Sequence, residues 1–240
     1  MKQGQAGTCS RSLRDSFARP ELLRYRASIV KVRTANKNKV HALLARLNVT
    51  NPYTDLFGKR GLVYLEELEL LPVYREALDG YLRLLAAVEE EIKTAEVLVN
   101  RARETSGEAQ LLETIPGVGP ILSLTILAEV GDVNRFLSAK HLASCAGLVP
   151  STSQSGNSTR HGHITRAGSS WLRWALVEAA IQASMTPGPM RDRYLALKKR
   201  KGNRIARVAV ARRLATYVYH MLKEGKSYLE VVSYSIGDLG

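Results

Sequence analysis

Leu71, Tyr74, Leu78, Tyr81, Leu85, Val88, Ile92, Ala95 and Val99 recur in alternating steps of three and four without a break. A pattern held for about four heptads dictates one long helix whose apolar seam must be covered, as in a coiled coil. The cover is either a second copy of the chain or residues 20–47. There Leu22, Tyr25, Ile29, Val32, Val40, Leu43 and Leu47 follow a helical period that Asn36 interrupts. Pro20 reads as the first residue of that helix. Pro72 sits near the start of the seam helix, where its missing N–H does little harm, and Gly80 is a weak point beside the seam. Asn51-Pro52, Gly58 and Gly61 mark a loop between the two.

Charge is segregated along the chain. The total is 35 Lys+Arg against 22 Asp+Glu, a net +13. Residues 1–46 hold eleven basic residues and only Asp15 and Glu21, residues 61–100 hold nine acids and three basic residues, and residues 191–213 hold ten basic residues and only Asp192. Solubility alone does not require such blocks. They read as two basic surfaces for a nucleic acid, with an acidic face toward water or a partner chain. Hydrophobic residues at 45% exclude general disorder, and two cysteines exclude a disulfide scaffold. No apolar run is long enough to span a membrane and the N-terminus has no signal-peptide core, so a cytoplasmic protein is expected. Aromatic residues at 6% argue against an extended single-strand stacking platform.

RARETSGEAQ at 101–110 reads as a linker. After it, Ile115-Pro116-Gly117-Val118-Gly119-Pro120 joins two short apolar segments in the manner of a helix-hairpin-helix. Glycine permits a tight turn and close backbone approach, and Pro120 starts a helix whose first N–H groups can receive a phosphate. Gly117 and Gly119 are therefore candidate nucleic-acid contacts, and a ligand-free turn is the alternative.

Residues 143–173 contain a long polar loop with Ser151, Thr152, Ser153, Ser155, Ser158, Thr159, Arg160, His161, His163 and Arg166. A serine attacking a phosphodiester needs positive charge around the phosphorane, which Arg160 and Arg166 can provide. Composition alone favours a Ser-rich flexible loop with phosphate-binding arginines. His161 and His163 lack a neighbouring Cys or carboxylate to complete a metal site. Trp171 and Trp174 read as core and Cys145 as a small buried hydrophobe; His41 and His220 carry no specific signal. In the basic block, Lys198, Lys199, Arg200 and Lys201 precede a Gly202-Asn203 break. Arg204, Arg207 and Arg212 then flank an apolar face of Ile205, Val208, Ala209, Leu214 and Val218. The block suits a phosphate backbone.

From Leu112 to about Leu222 the chain resembles the C-terminal domain of the bridge-RNA-guided insertion-sequence transposases. Ile115–Pro120, Arg135-Phe136, Cys145–Pro150, Gln154-Ser155-Gly156, Ile164–Gly168 and Leu172-Arg173 carry the resemblance in order. Leu22–Arg26 and Leu56–Gly61 resemble the family's central region. The resemblance implies that Ser155 is a recombinase nucleophile forming a phosphoserine linkage with DNA. It also implies a structured guide RNA as partner and a divalent metal such as magnesium in the complete enzyme. Charge and position then make Arg166 and Arg173 phosphate or RNA contacts. The family's metal-binding carboxylates precede the arginine-rich helix, where this sequence has only Asp15. A truncated or split transposase is thus expected, and no metal ligand is assigned here. The competing expectation is a non-enzymatic helix-hairpin-helix module that binds nucleic acid.

The expected fold is all-α. It comprises a disordered remnant at 1–19, a basic helix and coiled coil at 20–100, a linker at 101–110, a compact domain at 111–225 with an irregular serine loop, and a tail at 226–240. Homo-oligomerisation is expected through the seam.

Overall fold

The computed structural model describes the backbone of residues 7–155 and 158–237, and the side chains of residues 19–151 and 162–233. Ten helices dominate, as an all-α fold requires: α1 (Gly7–Arg46), α2 (Lys59–Glu67), α3 (Pro72–Glu104), α4 (Gly107–Leu112), α5 (Pro120–Val130), α6 (Ala139–Cys145), α7 (Ser170–Ala183), α8 (Pro189–Lys201), α9 (Asn203–Glu224) and α10 (Tyr228–Gly237). A single 3-10 turn lies at Val133–Arg135. Two short antiparallel strands, β1 (Pro150–Ser155) and β2 (Ser158–Ile164), form the one sheet among the described residues. Contacts divide the chain into two compact units, Arg24–Leu98 and Met1–Leu23 with Val99–Gly240.

In the smaller unit the seam of α3 is closed by α1 of the same chain. Arg26 meets Glu96, Arg33 meets Glu89 and Asn36 meets Tyr81, so the two helices run antiparallel. Leu78, Leu85, Val88, Ile92 and Ala95 are buried along the seam, whereas Leu71 at its start is exposed. Within the chain, α1 thereby covers this seam. Val40, Leu43, Leu44, Leu56, Leu65 and Leu78 form this unit's core. The same pairing corrects the reading of the first two charge blocks. Arg26, Arg33 and Lys37 engage Glu96 and Glu89 instead of all facing a nucleic acid.

Three other boundaries differ from expectation. Helix α1 begins at Gly7, inside the stretch expected to be disordered, and contains Pro20 in its interior. The expected linker at 101–110 is mostly helix. Helix α3 continues to Glu104, and Ser106 caps α4 by accepting a hydrogen bond from the Ala109 N–H at 3.3 Å. The expected tail contains α10, whose Tyr228, Val231 and Val232 are buried in the core.

The larger unit is assembled around α9, which packs against α4, α6, α7, α8 and α10. Small residues make this possible: Ala206, Ala211 and Ala215 on α9, and Ala175, Ala179, Ala180 and Ala183 on α7, are all buried. Without long side chains between them the helix axes approach closely. The buried face of α9 is Ala206, Val210, Ala211, Leu214, Val218 and Met221. It is rotated from the expected one, and Ile205 is exposed.

Candidate nucleic-acid interface

The polar segment after α6 is a β-hairpin on a braced base, not an irregular loop. Its strands register Ser155 opposite Ser158 and Ser153 opposite Arg160, with an irregularity between Pro150 and Thr152. Ser151 Oγ donates to the His163 carbonyl at 3.0 Å. Below the strands the pairing continues: Thr165 N–H to Val149 O at 2.9 Å, Arg166 N–H to Gly147 O at 3.3 Å and Ser169 N–H to Cys145 O at 2.8 Å. Gly168 has φ +98°, and a Cβ there would lie 2.1 Å from the Cys145 carbonyl oxygen. Only glycine fits this crossing.

Arg173 locks the base from α7. Its Nη1 donates to the carbonyls of Ala146 at 3.1 Å and Arg166 at 3.2 Å. This guanidinium, expected to meet phosphate or RNA, is engaged with backbone. Ser169 caps α7 through the Leu172 N–H at 3.0 Å and donates to Glu129 Oε2 at 2.6 Å.

Ser155 is thus the last residue of β1, in register with Ser158 of β2. Its side chain and those of Arg160 and His161 fall outside the described residues. Arg166 is exposed, has φ +54° and forms no ion pair among the described residues. The sequence signal for the hairpin was the Gly156-Asn157 pair between two runs of strand-compatible length.

The Pro116–Pro120 segment joins α4 to α5. Gly117 has φ +85°, and a Cβ there would lie 2.1 Å from Gln182 Cβ on α7. This glycine serves close packing of the turn on α7. Gly119 differs, with φ −106° and open space where a Cβ would be. It caps α5 without a side-chain hydrogen bond to the first N–H groups of that helix. The turn is held by Arg103, which binds Glu113 through Nε and Nη2 at 2.6–3.1 Å. Glu113 raises the Arg103 pKa above its ordinary value, by hydrogen bonding first and by charge second. Ser123 Oγ donates to the same carboxylate at 3.2 Å.

The third basic block forms the end of α8 and the start of α9. Lys198, Lys199, Arg200, Lys201 and Arg204 are exposed, and no ion pair among the described residues involves them. Four of them occupy the last turn of α8, where the helix dipole itself favours cations. Tyr194 braces the joint by donating to Asn203 Oδ1 at 2.8 Å, and Lys198 Nζ lies 5.7 Å from the centre of its ring. Of the two tryptophans expected in the core, Trp171 is half-buried and Trp174 is 42% exposed.

Among the described residues, no three His, Cys, Asp or Glu side chains converge as a metal site. The described residues therefore offer no such cluster for the divalent metal that the resemblance implies. No helix among them is long and apolar enough to cross a membrane.

This region, from α4 through the turn, the hairpin and α7 to the start of α8, is also where similarity to known proteins concentrates. Residues 109–195 match the model of the Transposase IS116/IS110/IS902 family. That segment is similar to the family's domain. An uncharacterised 44.8 kDa protein of insertion element IS116 from Streptomyces clavuligerus is 34% identical over 148 residues, 60% of this chain and 36% of that protein. The transposase for insertion sequence element IS1111A of Coxiella burnetii is 27% identical over 220 residues, 86% of this chain and 59% of its own length. A pilin gene-inverting protein of Moraxella bovis is 34% identical over 134 residues, 55% of this chain and 42% of its own. The chain thus spans between about a third and three fifths of the length of these relatives. The matched segment contains both glycines of the turn, Ser155, Arg166 and Arg173, and ends before Lys198.

Proposed function

We propose that this chain is the serine-bearing, DNA-handling part of an insertion-sequence transposase, with Ser155 as nucleophile. The observation that carries the reading is the position of Ser155 at the end of a hairpin strand, on a hydrogen-bonded base inside the transposase-family segment. A short hairpin can carry a hydroxyl to a phosphodiester that a flat helical surface would hold too far away.

In the proposed step, Ser155 Oγ attacks a DNA phosphorus. The new O–P bond forms as the bond to the leaving strand's oxygen breaks. The serine proton passes to solvent, and the leaving oxygen takes one up. The phosphoserine keeps the phosphodiester's bond energy, so a strand hydroxyl can reverse the step and rejoin. Arg166 supplies positive charge near the hairpin base, the first N–H groups of α5 receive a backbone phosphate at Gly119, and Lys198–Lys201 with Arg204 hold the duplex. The relatives' names, a transposase and a pilin gene-inverting protein, support strand exchange on DNA as the activity. A structured guide RNA as second partner belongs to the same reading through the motif resemblance.

The test is a denaturing gel of reactions containing the chain, end-labelled DNA of the insertion element and magnesium, with and without the additional residues of a full-length relative. The expected result is a covalent protein–DNA adduct that Ser153→Ala keeps and Ser155→Ala loses while still binding DNA. An adduct in Ser155→Ala overturns the assignment. Binding with no adduct under either condition leaves a non-enzymatic nucleic-acid-binding module.

A further inference from the structure

Trp171 and Trp174 are the chain's two tryptophans. Their rings touch edge to face, with centroids 6.1 Å apart and planes at 84°. The opposite face of α7 is closed by Leu172, Ala175, Leu176, Ala179, Ala180 and Ala183. Trp174 is 42% exposed beside the half-buried Trp171, so the pair offers a small apolar surface that a flat ring can cover.

The position of the pair says which partner. Trp171, Trp174, Glu178 and Gln182 follow one another in steps of three and four, so they form one stripe along the outer side of α7. At about 1.5 Å per residue the stripe is roughly 16 Å long. At its C-terminal end Gln182 packs on Gly117 of the turn. At its N-terminal end α7 emerges from the hairpin base, where Arg173 holds the Arg166 carbonyl. The stripe therefore connects the two features of the proposed interface. Its one charged residue is Glu178, exposed and in no ion pair among the described residues. A carboxylate there repels phosphate, whereas the indole rings attract the flat faces of bases. The stripe thus suits bases, and phosphates are left to the cations around it.

We propose that the Trp171–Trp174 pair is a stacking platform for unpaired nucleobases, which holds a strand beside the serine hairpin. It is a positioning element, and it rests on the reading of this chain as a nucleic-acid-handling protein. One platform on a chain poor in aromatics fits a clamp on one or two bases, not a groove for a long single strand.

Because both tryptophans are in the pair, intrinsic fluorescence reports the platform alone. The chain is titrated with short fluorescein-labelled single-stranded DNA, single-stranded RNA and duplex DNA. Anisotropy of the label reads binding, and tryptophan emission with iodide accessibility reads stacking. The expected result is that a single strand quenches the emission and shields it from iodide, and the stronger of the DNA and RNA arms identifies the natural strand. Trp174→Ala then weakens single-strand binding about five- to a hundredfold, and Trp174→Phe weakens it less. Rising anisotropy with unchanged emission, or wild-type affinity in Trp174→Ala, overturns the platform but leaves the nucleic-acid reading intact. No change in anisotropy for any of the three removes that reading and the platform with it. The wild-type quenching arm keeps the test decisive even if Trp174→Ala misfolds.

Discussion

Individual residues in this chain separate structural from functional demands, and the two glycines of the turn show how. Gly117 sits at φ +85° with a neighbouring helix where its Cβ would be, whereas Gly119 has an ordinary φ and open space. Gly117→Ala is expected to destabilise the larger unit by about 2–4 kcal/mol, through both strain and overlap. Gly119→Ala is expected to stay within about 1 kcal/mol of wild type. Chemical denaturation of the two variants measures the contrast. Any binding defect of Gly119→Val can then be assigned to backbone approach. Tyr228 makes a different kind of demand. It is 5% exposed, and burial first, then the neighbouring Tyr217, pushes its phenol up to about 12. The folded state therefore keeps a proton that the unfolded chain releases near pH 10. Its contribution to stability is fully present below pH 10 and is lost as pH rises toward 12, by about 2–3 kcal/mol at the limit. Tyr228→Phe is expected to flatten the alkaline limb of a stability-versus-pH curve by that one proton. An unchanged slope would mean that another group sets it.

At the scale of elements, the α1–α3 pair was the most legible part of the sequence. Its seam is a repeated apolar spacing, and repetition over a long helix averages out local noise. Asn36, read as an interruption, turns out to occupy the seam: it is 2% exposed, and its Nδ2 donates to the Tyr81 carbonyl at 2.6 Å. Its Oδ1 is buried with no hydrogen-bond partner. An unsatisfied buried acceptor costs about 1–3 kcal/mol, and a polar residue in such a seam is best known for fixing register. Asn36→Leu is expected to raise the melting temperature while broadening the population of registers or oligomers, as seen by thermal denaturation and sedimentation velocity together. A lower melting temperature with a single species would show that the Tyr81 bond outweighs the unpaired oxygen. The hairpin strands gave periodicity nothing to act on, and the Gly156-Asn157 pair was their one sequence signal. Ser151-Thr152-Ser153-Gln154-Ser155 is polar on both faces, so strand alternation leaves no apolar trace, and its register rests on backbone bonds. The helix at 107–112 was masked by polar residues, although Ser106 followed by Glu108 is a helix start in retrospect. Trp174 misled for a related reason: spacing places it on α7, but only packing decides which residues of that helix face inward.

For the whole molecule the same arithmetic of charge gives two different outcomes, and that difference can be measured. The first basic block is partly spent inside the smaller unit, where Arg33 and Lys37 share Glu89 and Arg26 takes Glu96. The block at 191–213 meets no acid among the described residues, since Asp192 forms no ion pair there. Cations already paired release few counterions when a polyanion arrives, whereas unpaired ones release about one each. If about six phosphates are neutralised by the second block, the logarithm of DNA affinity should fall against the logarithm of salt with a slope near −5. Replacing Lys198, Lys199 and Arg200 by Gln is then expected to reduce that slope by about 3 with little change in thermal stability. Replacing Arg26 and Arg33 by Gln should do the reverse. The salt slope should stay close to wild type, and stability should fall by about 1 kcal/mol or less, because partly exposed pairs contribute little. Fluorescence anisotropy across a salt series, run beside thermal melts, measures both. Equal slope losses from the two sets would mean that α1 meets the nucleic acid after its ion pairs open, and the smaller unit would then join the interface.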